Sequence, residues 1–223
     1  MSATRQLPLR LAAKAATRLR AELEPFCERI EIAGSVRRRK ATVGDLELVA
    51  IPQVERVESV DMFGQVAAVE ARSLLDAHLD EMLAARPGPI FKSRAALFET
   101  VGLPPDGLPD VVRWGERYKR FYFLWGAAAA VIPVDLFLTT PDNFGAILTI
   151  RTGPHDFSRE FVTHLKRATP YRQQDGMIVI EATGEVVPVP EERDYFELAG
   201  LSWIEPHHRT VAALRQALQR EIR

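Results

Sequence analysis

One run of residues constrains this chain more than any other: Gly34-Ser35-Val36-Arg37-Arg38-Arg39-Lys40-Ala41-Thr42-Val43-Gly44-Asp45-Leu46-Glu47-Leu48-Val49. The alternation from Arg29 to Ala33 predicts a strand that ends at Gly34-Ser35, and a second strand is predicted from Asp45 to Ile51. Period-two geometry places Asp45 and Glu47 on one face while Leu46 and Leu48 enter the core. Neighbouring carboxylates repel and raise each other's pKa unless a cation joins them. Oxygen ligands on a rigid strand, with room for phosphates, suit Mg²⁺ or Mn²⁺. The turn before them offers unobstructed N–H groups at Gly34, the Ser35 hydroxyl and the Arg38 guanidinium, the components of an anion cradle. The run Arg37 to Lys40 reads either as a solvated turn or as a phosphate contact, and its place beside Gly34-Ser35 favours contact.

A third acid, Asp135, interrupts the apolar strand Val131-Ile132-Pro133-Val134-Asp135-Leu136-Phe137-Leu138. An ionised acid there is expensive unless it meets a cation or faces a cleft. Around these strands the periodicity predicts a helix over Leu7–Phe26 and an amphipathic helix over Val66–Arg86, stopped by Pro87-Gly88-Pro89. Residues 100–111 read as a Gly/Pro-rich loop. A strand pair is predicted over Tyr118–Trp125 and Ala130–Leu138. Beyond it Thr140-Pro141 reads as a helix start, with the helix running to about Arg151. A helix over Phe157–Ala168, short strands within 177–189 and a last helix from Pro206 to Arg223 complete the pattern. The change of texture places a domain boundary near residue 140.

Along Tyr118–Trp125, alternation puts Phe121, Phe123 and Trp125 in the core and leaves Arg120 and Tyr122 exposed beside the cleft. The single cysteine, Cys27, forbids an internal disulfide and reads as a buried small apolar residue. Five histidines without His-x-Glu or His-Glu-x-x-His spacing argue against zinc. The adjacent His207 and His208 would diverge on a helix, so they read as surface rather than a ligand pair. No apolar run approaches the ~18 residues of a membrane span, so the expectation is a cytoplasmic protein without membrane contact. The net charge of −1 hides an asymmetry: residues 1–40 hold ten Lys or Arg against four Asp or Glu, and residues 41–110 hold five against twelve. Charge alone therefore does not announce a nucleic-acid binder; local charge decides.

Gly-Ser-x-Arg-Arg, then Gly-Asp-x-(Asp/Glu), then a later strand Asp resembles the palm of family X DNA polymerases, the polymerase beta group. Phe144-Gly145-Ala146 to Thr152-Gly153 is similar to their helix ending in Thr-Gly. Gly184-Glu185, Glu191-Glu192, Phe196, Leu198-Ala199-Gly200-Leu201 and Glu205-Pro206 to Arg209 resemble their thumb. The resemblance implies an α+β fold: a nucleotidyltransferase palm over residues 1–140, a mixed sheet with helices on one side, and a small α/β thumb over 141–223. It implies a DNA polymerase-like nucleotidyltransferase that adds nucleotides from (d)NTPs to a 3′-hydroxyl, with a nucleic-acid primer/template as partner, and releases pyrophosphate. Asp45, Glu47 and Asp135 would converge on two Mg²⁺ or Mn²⁺ ions, with Asp135 beside the 3′-hydroxyl. Ser35, Arg38, Gly34 and Gly44 would hold the triphosphate, and Ile150, Arg151, Gly153, His155 and Ser158 would flank the nucleotide. His155 and Ser158 read equally well as a plain helix start. The chain departs from the family in having Glu47 in place of Asp, Ile150-Arg151 in place of an aromatic pair, and Pro133 in place of an arginine. Transfer to RNA, a small molecule or a protein, or nucleotide binding without catalysis, are the alternatives.

Overall fold

The computed structural model describes residues 6–60, 62, 66–85, 88–102, 113–126 and 130–221. In chain order these residues form β1 (Leu7–Pro8), α1 (Leu9–Leu23), β2 (Cys27–Ile32), α2 (Gly34–Arg37), β3 (Thr42–Val43), β4 (Leu46–Pro52), β5 (Val54–Val60), β6 (Val66–Ser73), α3 (Leu74–Ala84), β7 (Ile90–Phe91) and α4 (Arg94–Val101). There follow β8 (Arg113–Trp114), β9 (Tyr118–Trp125), β10 (Ala130–Leu138), α5 (Phe144–Thr152), α6 (His155–Ala168), β11 (Tyr171–Gln174), β12 (Met177–Ile180), β13 (Val186–Val187), α7 (Glu192–Leu198) and α8 (Val211–Glu221). Among the described residues no helix is long and apolar enough to cross a membrane.

The main sheet runs β2-β4-β10-β9-β7, with β8 pairing β9. β4 and β10 are parallel and the other pairs antiparallel, so the sheet is mixed. Alternation sorts its two faces. Leu46, Leu48 and Ala50 of β4, Phe121 and Phe123 of β9, and Val134 and Leu136 of β10 enter one core with α1 and α3. The opposite face is covered at two ends. At one end Val49, Ile51 and Phe137 pack with Phe144 and Leu148 of α5. At the other, Phe91, Leu97 and Tyr122 form a small cluster. Helices thus cover both faces rather than one, because β9 and β10 carry apolar residues at both parities. Burying only one side would leave that second set in water.

Three further expectations are corrected. Residues 66–73 are a strand, not the first half of a helix; they pair in register with β5 as an antiparallel hairpin, Val54 opposite Ser73 and Val57 opposite Glu70. The helix begins only at Leu74, after Ser73 accepts a hydrogen bond from the Asp76 N–H, and its buried stripe is Leu75, Leu79 and Met82. Tyr122 is buried at 1% exposure, because β7 and the turn of α4 behind it cover that face of β9. α5 starts at Phe144 and not at Pro141: the Asn143 side chain accepts from the Thr140 N–H and donates to the Gly176 carbonyl, holding residues 140–143 in a turn. The loop expected over 100–111 and the stop at Pro87 fall mostly outside the described residues.

C-terminal to β10, α5, α6, α7, α8 and the β11-β12-β13 sheet share a second core built on Phe157, Phe161, Leu165, Ile178, Tyr195 and Phe196. Gly145 allows its closest approach: a Cβ there would lie 2.1 Å from the Glu191 carbonyl carbon. The Gly145 N–H donates to Val189 O at 2.9 Å, which ties α5 to the segment leading into α7.

Candidate active site

On the second face of the sheet, between its two apolar coverings, lies a polar strip. The parallel register of β4 and β10 sets Asp135 directly opposite Glu47, and the antiparallel register sets Arg120 of β9 opposite Asp135. Asp45 sits at the bend leading into β4. Asp135 is 7% exposed and makes the ion pair its apolar surroundings demand. Arg120 Nε lies 2.8 Å from Asp135 Oδ1, and Arg120 Nη2 donates to Asp135 Oδ2 at 3.0 Å. Tyr118 donates its hydroxyl to Asp135 Oδ1 at 2.6 Å. Arg120 Nη2 also lies 3.9 Å from Asp45 Oδ2, so one guanidinium stands between two of the three acids.

Burial raises the Glu47 carboxyl to about 7, with the charges of Asp45 and Asp135 adding to it against the pull of Arg38 and Arg151. Burial, then Asp135, also raises Asp45. Burial and the bond to Asp135 push the Tyr118 hydroxyl up to about 12. Glu47 therefore binds a proton more readily in the folded chain than in the unfolded one. The folded state gains stability below pH ~4.5 from this group and loses it as pH rises through about 7. In metal-free solution Glu47→Gln, neutral and of the same shape, is expected to melt higher than the parent at pH 8, with the difference closing by pH 5. Parallel thermal melts across that range check it; a constant difference would show that Glu47 is not the titrating group.

The preceding turn meets these acids closely. Gly34 has φ +61°, and a Cβ there would fall 1.8 Å from Glu47 Oε2, so both backbone and space require glycine. Ser35 Oγ is buried without a hydrogen-bond partner. Arg38 donates to the Thr152 carbonyl, and burial lowers its pKa against the pull of Glu47 and Asp45. The space beside Gly44 is open, so nothing in the packing requires glycine there.

Residues expected to flank a nucleotide divide into two sets. Arg151 lays its guanidinium over the Phe137 ring at 4.0 Å, two residues along β10 from Asp135. With Arg117, Tyr118, Phe137, Asn143 and Gly176 it lines an open cleft of about 310 Å³. Ile150 instead packs against the C-terminal core. Ser158 donates to the Ile150 carbonyl at 2.8 Å, and a Cβ on Gly153 would lie 2.5 Å from that same hydroxyl. His155 is exposed and pairs with Asp156 at 3.4 Å.

Sequence reasoning missed two features. Alternation sets Arg120 beside the cleft, but its pairing with Asp135 depends on strand register. The other is a buried ion cluster. Glu192, 6% exposed, binds Arg37 Nη2 at 2.7 Å and Arg209 Nη1 at 2.7 Å, and Arg37 Nη1 donates to Thr152 Oγ1 at 2.8 Å. Arg37, expected at a phosphate, is thus committed to the C-terminal core; Arg39 and Lys40 are exposed.

Asp45, Glu47 and Asp135 occupy adjacent positions, yet among the described residues no three His, Cys, Asp or Glu side chains gather at metal-holding spacing. The donor set still fits a hard divalent ion: three carboxylates, two of them raised by burial and then by neighbouring carboxylate charge, beside an unpartnered buried hydroxyl. Arg120 and Tyr118 occupy both Asp135 oxygens in its place.

The fold is α+β, with an acid-lined strip on a mixed sheet. Its C-terminal part is similar to a known family: the model of the DNA polymerase beta thumb matches residues 147–210. That match relates residues 147–210 to the thumb of polymerase beta-like proteins. No curated protein matches the chain.

Proposed function

We propose that this chain is a divalent-metal-dependent nucleotidyltransferase, a compact family X-like DNA polymerase with its palm in residues 1–140 and its thumb in 141–223. The observation that carries the reading is the in-register placement of Asp135 opposite Glu47 on parallel strands, with Asp45 beside them, ahead of a polymerase beta-type thumb.

In this reading Asp45, Glu47 and Asp135 hold two Mg²⁺ or Mn²⁺ ions. Such ions, when bound, stabilise charge on a transferring phosphoryl group and lower the pKa of an attacking hydroxyl. The chain's own residues do the rest. The Gly34 turn, Ser35 and Arg38 bind the triphosphate tail, and Arg151 over Phe137 supplies a cation at the edge of the cleft. The 3′-oxygen forms a bond to the α-phosphorus, the α–β bridging bond breaks, and pyrophosphate leaves with the electron pair. The hydroxyl proton passes to Asp135 or to water. Most of the acceleration then comes from positioning and electrostatics.

Because Arg120 and Tyr118 already satisfy Asp135, a relative that binds nucleotides without transferring them is the second reading. Primer extension with Mg²⁺ or Mn²⁺, each dNTP and NTP, with and without template, separates the two. Extension of a primer supports the proposal. Nucleotide binding with no extension under any of these conditions refutes it.

A further inference from the structure

We infer that Arg120 is a built-in counter-cation, a positioning residue that holds Asp135 until a divalent ion displaces it and so sets the affinity of the site for metal. The inference rests on the nucleotidyltransferase reading and names what governs entry to that same site.

Arg120 reaches Asp135 across one antiparallel pair, where directly opposed residues share a face, so the contact is set by register. Its guanidinium pairs with Asp135, Nη2 donating to Oδ2 at 3.0 Å with Nε 2.8 Å from Oδ1, and reaches toward Asp45 at 3.9 Å. This is the electrostatic task a divalent ion would perform for the same acids. With Tyr118 it occupies both oxygens of Asp135, so ion and guanidinium compete for the same lone pairs. Exchange is feasible because the Arg120 side chain is 26% exposed and retains a path to solvent. A second cation on the neighbouring strand, Arg113 opposite Arg120, adds repulsion that favours its release once a metal is seated.

The test is titration calorimetry of the full chain with Mn²⁺ alone, at pH 8. Arg120→Gln is expected to tighten Mn²⁺ binding about tenfold, the ordinary size of coupling between two occupants of one site. Arg120→Lys keeps the charge and is expected to stay near the parent, which a merely structural role for Arg120 does not predict. Tyr118→Phe, which removes the other contact to Asp135, is expected to tighten binding by a smaller factor and serves if Arg120→Gln fails to fold. Equal affinities for the parent, Arg120→Gln and Tyr118→Phe overturn the inference and leave the nucleotidyltransferase reading standing. No Mn²⁺ bound by the parent or by the variants removes that reading as well.

Discussion

Asp135→Ala is expected to lower nucleotide transfer by roughly 10³-fold or more, with only a modest change in melting temperature. The proposed reading gives Asp135 a direct part in holding the ion beside the attacking hydroxyl. Removing one preorganised electrostatic stabiliser from an active site costs about 10²–10³ in rate, and a lost metal ligand also lowers ion occupancy. The fold is less exposed to the change. Asp135 lies in a strand whose flanking residues Val134 and Leu136 are fully buried and stay in place. Its partner Arg120 is partly exposed and finds water once the carboxylate is gone. Single-turnover primer extension beside a thermal melt reads both quantities. Transfer at the parent's rate in a folded Asp135→Ala would end the assignment; loss of activity together with loss of the melt would point to packing instead.

The largest effect on stability is expected from Glu192→Ala, a loss of roughly 3–5 kcal/mol, the usual cost of stripping one partner from a buried pair. Arg209 has a fully buried side chain, and its Nη1 reaches Glu192 at 2.7 Å. Without that carboxylate its charge has no adequate partner, whereas Arg37, 24% exposed, can turn to solvent. For a chain of this size each kcal/mol moves the melting temperature about 2–4 °C, so a fall of about 10 °C is expected. The double variant Glu192→Leu with Arg209→Met should lose less than Glu192→Ala alone, because no unpaired charge remains. A drop under ~1 kcal/mol for Glu192→Ala would mean that water or another group already serves Arg209. The cluster is also acid-sensitive. Burial pushes the Glu192 carboxyl up, but the bonds from Arg209 and Arg37 outweigh it and hold its pKa below the usual value. Its contribution is therefore present at neutral pH and fades as pH falls through the folded-state pKa.

The sequence alone determined the strands of the candidate site. β9 and β10 occupy the predicted spans, and β2 and β4 fall within a few residues of theirs; Glu47 lies on β4, whereas Asp45 sits at the bend just before it. Such features are local: period-two polarity, Gly-Ser at a strand end, and proline or glycine at boundaries are written in neighbouring residues. Cys27 is buried, as its small apolar character suggested. Where local signals were ambiguous the reading failed. Val66-Ala67-Ala68-Val69 suits a helix by composition, and only the partner strand β5 makes it a hairpin. Tyr122 alternates like an exposed residue, and only β7, some thirty positions earlier in the chain, buries it. The pairings of Arg120 with Asp135, and of Glu192 with Arg37 and Arg209, were beyond sequence reading for the same reason. A charge's partner is chosen by register and by packing between segments far apart in the chain. Those quantities come into being only when the tertiary structure closes and a buried ion must take whichever counter-charge the fold brings within reach.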